Sequence, residues 1–125
     1  MHRNRPKHLN LMEIKLPLPA VISIIHRVSG VLLFFPGIPI LLYSLQMVLD
    51  SPQSYNEFQI LLDSLPVKSA LILFLWFFMH HFCAGIRYLV LDLNYGIELE
   101  QARMSSKVVF VVGIVLTLWV GTAIW

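Results

Sequence analysis

The apolar run from about Val67 to Leu91 constrains this chain more than any other feature, because it carries His80, His81 and Arg87 inside it. Wound as a helix the run is roughly 37 Å long, more than the ~30 Å hydrocarbon core of a bilayer. Ionisable side chains at membrane depth face a bundle interior and serve a purpose there. His81 lies near or somewhat beyond the middle of the run, and Gly85 follows it at i+4, on the same helical face. The pattern predicts a membrane span built to present one imidazole.

Two further apolar runs flank it, about residues 20–49 and 106–125, and the composition agrees: 58% of the chain is hydrophobic and only 13% is charged, far from a soluble domain. The expected fold class is an all-α membrane protein of three transmembrane helices in a single domain, 1–125. Residues 1–19 are basic and punctuated by Pro6, Pro17 and Pro19, which favours an extended cytoplasmic segment over a helix, with Pro19 suited to the first turn of the span that follows. No cleaved signal peptide is expected from this pattern. Fully helical, residues 20–49 measure roughly 45 Å, so the excess must be tilt, protruding ends or a kink, and Pro36, Gly37 and Pro39 predict the kink. Residues 50–66 mix Asp50, Glu57 and Asp63 with Tyr55, Phe58 and leucines; a short surface helix and an irregular loop both fit, and Ser64 before Pro66 resembles a helix start.

Lys and Arg set the orientation. Arg3, Arg5, Lys7, Lys15 and Arg27 precede or open the first span, and Arg87, Arg103 and Lys107 flank the second connection, whereas the first connection has Lys68 alone at its edge. The N-terminus and residues 92–105 are therefore expected on the cytoplasmic side of the membrane. The few scattered basic residues argue against a nucleic-acid partner. The single cysteine, Cys83, allows no intrachain disulfide, and no C-x-x-C-H motif for covalent haem attachment occurs.

This orientation gathers Ser23, His26, Arg27, Arg87 and Asp92 near one face, with His81 roughly 15 Å deeper than Leu91 by helical rise. That distance is close to the height of a haem. An iron held by His81 would leave anionic propionates at the depth of the arginines, and neutral imidazole is a good axial ligand. Gly85 beside His81 gives room for a porphyrin; His80 has Ala84 at the matching position, so the preference for His81 rests on a small difference. The alternative is that both histidines hydrogen-bond to neighbouring helices. His26 lies too near the end of its span to serve as a second ligand on this reading, so that ligand is expected from another membrane chain. Ser23 and Arg27, four apart, form a polar stripe with His26 and Gly30 opposite Val21, Ile22, Ile25 and Val28. Serine can donate to a quinone carbonyl and arginine can stabilise a developing anion; equally, Ser23 can bond back to its own helix and Arg27 can snorkel to headgroups. Asp92 could pair with Arg87, cap a turn, or deliver protons.

Arg5-Pro6 with Asn10-Leu11, the block Ser23-Ile-Ile-His26-Arg27-Val-Ser29-Gly30, and His81 followed by Gly85-Ile86-Arg87 and Asp92 resemble the cytochrome b membrane-anchor subunit of bacterial-type succinate dehydrogenase, respiratory complex II. The resemblance covers essentially the whole chain. It implies one of two small anchor subunits that together hold one haem b and fix a flavoprotein and an iron–sulfur subunit to the membrane, passing electrons from succinate to ubiquinone. It further implies that His81 is an axial ligand, with the other from the second anchor subunit. It places Ser23 and Arg27 in the quinone site, His26 and Arg27 near the propionates, and Asp92 near a proton route. His80 departs from the pattern, so the ligand assignment depends on the spacing to Gly85. Rival readings are a quinol-oxidising fumarate reductase anchor, a small non-haem membrane protein, and a cytochrome formed by a homo-oligomer.

Overall fold

In a computed structural model, which describes residues 14–125, the chain is helical almost throughout. The basic stretch before Ile14, including Arg5-Pro6 and Asn10-Leu11, lies outside the described residues. Helix α1 spans Leu18–Leu32, a π-helical turn Leu33–Gly37, α2 Ile38–Asp50, α3 Pro52–Asp63, α4 Leu65–Asp92 and α5 Leu99–Ile124. Three helical stretches are long and apolar enough to cross a membrane: Leu18–Asp50, Leu65–Asp92 and Leu99–Ile124.

Local chemistry explains the boundaries. Pro19 sits in the first turn of α1 and Pro66 in that of α4, after N-cap Ser64; proline lacks the N–H that a first turn leaves unpaired anyway. Residues 50–66, open between helix and loop on sequence, form α3: Ser51 and Ser54 make a reciprocal capping box at its start. Helix α4 closes with Asn94 at φ 64°, where the amides of Asn94 and Tyr95 return to the carbonyls of Leu91 and Val90, the Schellman arrangement.

Helix α5 starts seven residues before its apolar run. Its first turns are polar, and Arg87 holds them. The Arg87 guanidinium is buried; Nε donates to Ser105 Oγ at 2.9 Å and an Nη group donates to the Ala102 carbonyl at 3.2 Å. At the opposite end Lys68 pairs with Asp63 at 3.1 Å and lies over the Trp125 ring at 5.9 Å, so α4 and α5 run antiparallel in close contact.

The buried centre is small and partly polar. Ile22, Ala84 and Val109 are joined by Ser29, His80, Arg87, Ser106 and Thr117, while large apolar side chains cover the outside. Helices in lipid gain nothing by hiding leucine from a solvent that is itself apolar; they associate through small residues and satisfied polar groups. Ser106 and Thr117 donate to carbonyls of their own helix, at 2.7 Å each, and Gly113 brings α5 against the backbone of His80.

The kink expected at Pro36 takes a particular form. A proline cannot donate to the carbonyl four residues back and its ring collides with it; widening the turn by one residue relieves both, which is the usual form of a π-bulge. Beyond the bulge, α2 packs on α3 and no longer approaches α4, whereas α1 and α5 both pack on α4. A wedge opens between α2 and α4.

Two outcomes follow. Arg87→Ala should destabilise the detergent-solubilised protein by about 2 kcal/mol, the scale of hydrogen bonds from a charged donor. Arg87→Lys should recover only part of this, since lysine cannot fork to two acceptors; thermal melts followed by circular dichroism check both. A Cβ at position 113 would meet His80 Cα at an ordinary 3.5 Å, so Gly113→Ala should melt like the parent and Gly113→Leu should not.

Candidate functional site

His81 stands at the closed end of the wedge. The groove there has a volume of about 460 Å³ and is lined by Gly30, Gly37, Phe74, Phe78, His81 and Phe82 with aliphatic residues of the π-turn and α2. Two glycines keep it open. A Cβ on Gly30 would lie 3.0 Å from His81 Cε1, and one on Gly37 would lie 3.4 Å from the Phe74 ring.

The imidazole of His81 is held through one nitrogen. Nδ1 lies 3.1 Å from the His26 carbonyl and 3.1 Å from Ser29 Oγ, and the Ser29 hydroxyl donates to that same carbonyl at 2.9 Å. The carbonyl can only accept, and the serine's one proton is already used. Nδ1 must therefore carry the hydrogen, which leaves the Nε2 lone pair free. A lone pair on a fixed imidazole, beside a groove walled by glycine and aromatic rings, suits an axial ligand to a planar macrocycle. No group of three or more His, Cys, Asp or Glu side chains gathers among the described residues.

The two adjacent histidines have different surroundings. His80 is fully buried, against Trp76, Phe110 and the backbone of Gly113. Neither of its ring nitrogens completes a hydrogen bond, although the Ile22 backbone approaches. The chain's own helices wall it in, and no cofactor can reach it without unpacking α5. Only His81 faces a groove.

His26 lies level with His81 rather than nearer the end of the bundle: the rings stack at 4.2 Å between centroids and 9° between planes. The antiparallel run of α1 and α4 causes this, because it brings His26, eight residues after Leu18, level with His81, eleven residues before Asp92. Face-to-face stacking also bars His26 from serving as the opposite ligand, since two axial imidazoles must approach an iron end-on from opposite sides. Gly85 packs beside His26, its would-be Cβ 3.7 Å from Nε2, while the clearance beside His81 comes from Gly30 and Gly37.

The polar stripe on α1 divides. Ile22, on the apolar side opposite the stripe, is fully buried, as is Ser29. Ser23 is half-buried and Arg27 exposed. By helical phase both share a face with Gly30, one and two turns nearer the start of α1. Asp92 is the exposed last residue of α4. It does not pair with Arg87; the one ion pair among the described residues is Lys68–Asp63, and Arg87 is already spent on α5. Ser29, Gly30 and Gly37 were not singled out on sequence as groove residues. The serine and glycine closing the Ser23–Gly30 block could have drawn attention to the first two, but Gly37 joins them only across the π-turn.

A larger cleft of about 620 Å³ lies between α4 and α5, among Cys83, Arg87, Tyr95, Met104 and Val108. It contains none of the six residues singled out for chemistry, and its one cation is already hydrogen-bonded.

Residues 1–120 match the family of succinate dehydrogenase/fumarate reductase transmembrane subunits. The chain is 35% identical to the succinate dehydrogenase cytochrome b556 subunit of Coxiella burnetii over 126 residues, covering all of both chains. It is 33% identical to the b556 subunit of Paracoccus denitrificans over 113 residues, 90% of this chain and 86% of that one. It is also 33% identical to the mitochondrial cytochrome b560 subunit of Dictyostelium discoideum, over 90% of this chain and 59% of the other. Helical architecture, groove and sequence agree: the chain belongs to the succinate dehydrogenase/fumarate reductase transmembrane subunit family, as a cytochrome b membrane anchor of succinate dehydrogenase.

Proposed function

We propose that this chain binds haem b through His81, shares that haem with a second membrane-anchor subunit, and forms part of the ubiquinone site of a succinate dehydrogenase in the bacterial inner membrane, N-terminus cytoplasmic. The observation that carries the proposal is the His81 imidazole, tied at Nδ1 to the His26 carbonyl and free at Nε2 beside the Gly30–Gly37 groove. The glycine clearance and the aromatic walls fit the group. When bound, a b-type haem supplies one-electron redox chemistry whose potential the ligand and its surroundings set.

This chain's own residues do the rest. His81 would hold the haem iron through Nε2. The stacked His26 and enclosed His80 leave no opposing imidazole among the described residues, which supports a second ligand from the partner anchor. Arg27, exposed on α1 one turn before Gly30, supplies positive charge for propionates and for a quinone oxygen as negative charge develops there. Ser23, one turn away, donates to a quinone carbonyl. Asp92, exposed where α4 ends, accepts protons from water and passes them toward that face. The chain holds no flavin or iron–sulfur motif; succinate oxidation belongs to the flavoprotein and iron–sulfur subunits that it anchors.

The deciding test is a reduced-minus-oxidised spectrum of the native complex. His81→Tyr and Gly30→Leu should abolish or displace the b-type band, whereas His80→Phe, which keeps a buried ring in an apolar site, should retain it. A wild type without the band would refute the haem assignment, and loss with His80→Phe alone would move the ligand. Ser23→Ala and Arg27→Leu should lower succinate–quinone turnover by about 10- to 100-fold, as loss of a transition-state donor does, while succinate-driven reduction of a soluble dye stays at the parent rate.

A further inference from the structure

We infer that Ser29 is the positioning residue of the haem ligand: its buried hydroxyl, bound to both His81 Nδ1 and the His26 carbonyl, sets the orientation and donor strength of the His81 imidazole. The inference rests on the proposed role of His81 and goes beyond it.

The geometry gives Ser29 a different role from that of an ordinary helix serine. Serines and threonines within spans commonly return their proton to their own helix, as Ser106 and Thr117 do here. Ser29 does the same, to the His26 carbonyl at 2.9 Å, but its oxygen also lies 3.1 Å from a ring nitrogen on another helix. It is fully buried, so no water competes for either contact. The Nδ1–H is thus shared between two acceptors, the serine oxygen and the carbonyl that the serine itself braces. Such outer partners of a metal-bound histidine fix its tautomer and ring plane and raise its basicity. Drawing the Nδ1 proton toward acceptors puts electron density on the ring, which makes Nε2 a stronger donor and favours the oxidised iron. Ser29 therefore acts through His81 without touching the cofactor. Gly30, the next residue, keeps the Cε1 edge of the same ring unobstructed.

The experiment is a redox titration of haem in the purified complex, with the low-spin ferric EPR spectrum recorded alongside. Ser29→Ala leaves the carbonyl as the only acceptor. The haem should remain, its midpoint should rise, and at a fixed ambient potential the reduced-to-oxidised ratio should increase about 2- to 10-fold, the value of one net hydrogen bond. The EPR g-values should move as the ring plane relaxes. Ser29→Thr keeps the hydroxyl and should restore both readouts; Ser29→Cys, close in size but a weak acceptor, should move them in the direction of alanine and carries the test if the alanine variant does not assemble. Parent-like midpoint and g-values in Ser29→Ala, or in Ser29→Cys where that variant stands in, would overturn the inference, as would a threonine variant displaced as far as alanine; a merely structural serine predicts altered yield with unaltered potential. A parent complex without a haem band removes the reading on which the inference rests, whereas a parent band unaffected by Ser29 removes the inference alone.

Discussion

The hydrogen bond from His81 Nδ1 to the backbone of α1 is the contact on which the site depends. In hydrocarbon an unpaired polar group costs several kcal/mol, roughly the stability of a small domain. The His26 carbonyl lies within α1 and already accepts from the Ser29 hydroxyl, and its contact with His81 ties α4 to that turn of α1. The bond joins two spans, selects the tautomer, and turns the remaining lone pair away from both helices. Ser29 offers the same Nδ1–H a second acceptor on one side, and the stacked ring of His26 limits rotation on the other.

The groove follows from a single imino acid. Pro36 cannot close an α-turn, the backbone widens into a π-turn, and the rest of the first span departs from α4 toward α3. Had the helix continued straight, α2 would pack against Phe74 and Phe78 and fill the space beside His81. The same turn brings Gly37 into the wall that Gly30 begins. Proline, two glycines and a histidine thus act together although they lie on two spans: the proline opens the wedge, the glycines keep it free of side chains, and the histidine stands where it narrows.

Much of this was legible in the sequence because membrane physics leaves few choices. The three apolar runs, Pro19 and Pro66 in first turns, Ser64 as a helix start and the bend at Pro36 depend on local chemistry, and the structure has each of them. What sequence could not supply was helical phase between chains of contacts. Ile22 falls on the apolar side opposite the polar stripe, and a single helix does not say whether such a side meets lipid or protein; with α4 and α5 both packed on α1, the position is interior. Arg87 was grouped with the surface cations by depth alone, yet depth does not reveal that Ser105 and Ala102 wait for it on α5. His26 looked too shallow for His81 because distance was counted from each helix end separately, whereas antiparallel packing decides which residues are level. Gly37 could not be assigned to Gly30's face, since spacing by 3.6 residues fails across a π-turn.

The packing also explains why such a chain would share a cofactor rather than enclose it. On the proposed reading, enclosing a haem would take helices on both sides of it, whereas here α5 packs against α1 and α4 away from the groove, closing over His80. Moving α5 to the open side would uncover His80, now fully buried beside Phe110 and the backbone of Gly113. The third span is therefore committed to completing a core built of small residues. The groove face has Phe34, Phe78 and Phe82 more than half exposed, and on the proposed reading the second anchor subunit covers it. On the proposed reading the haem binds the assembled pair and neither chain alone, so its binding energy stabilises the assembly itself. A chain with one well-oriented ligand and an open groove then needs no cage of its own.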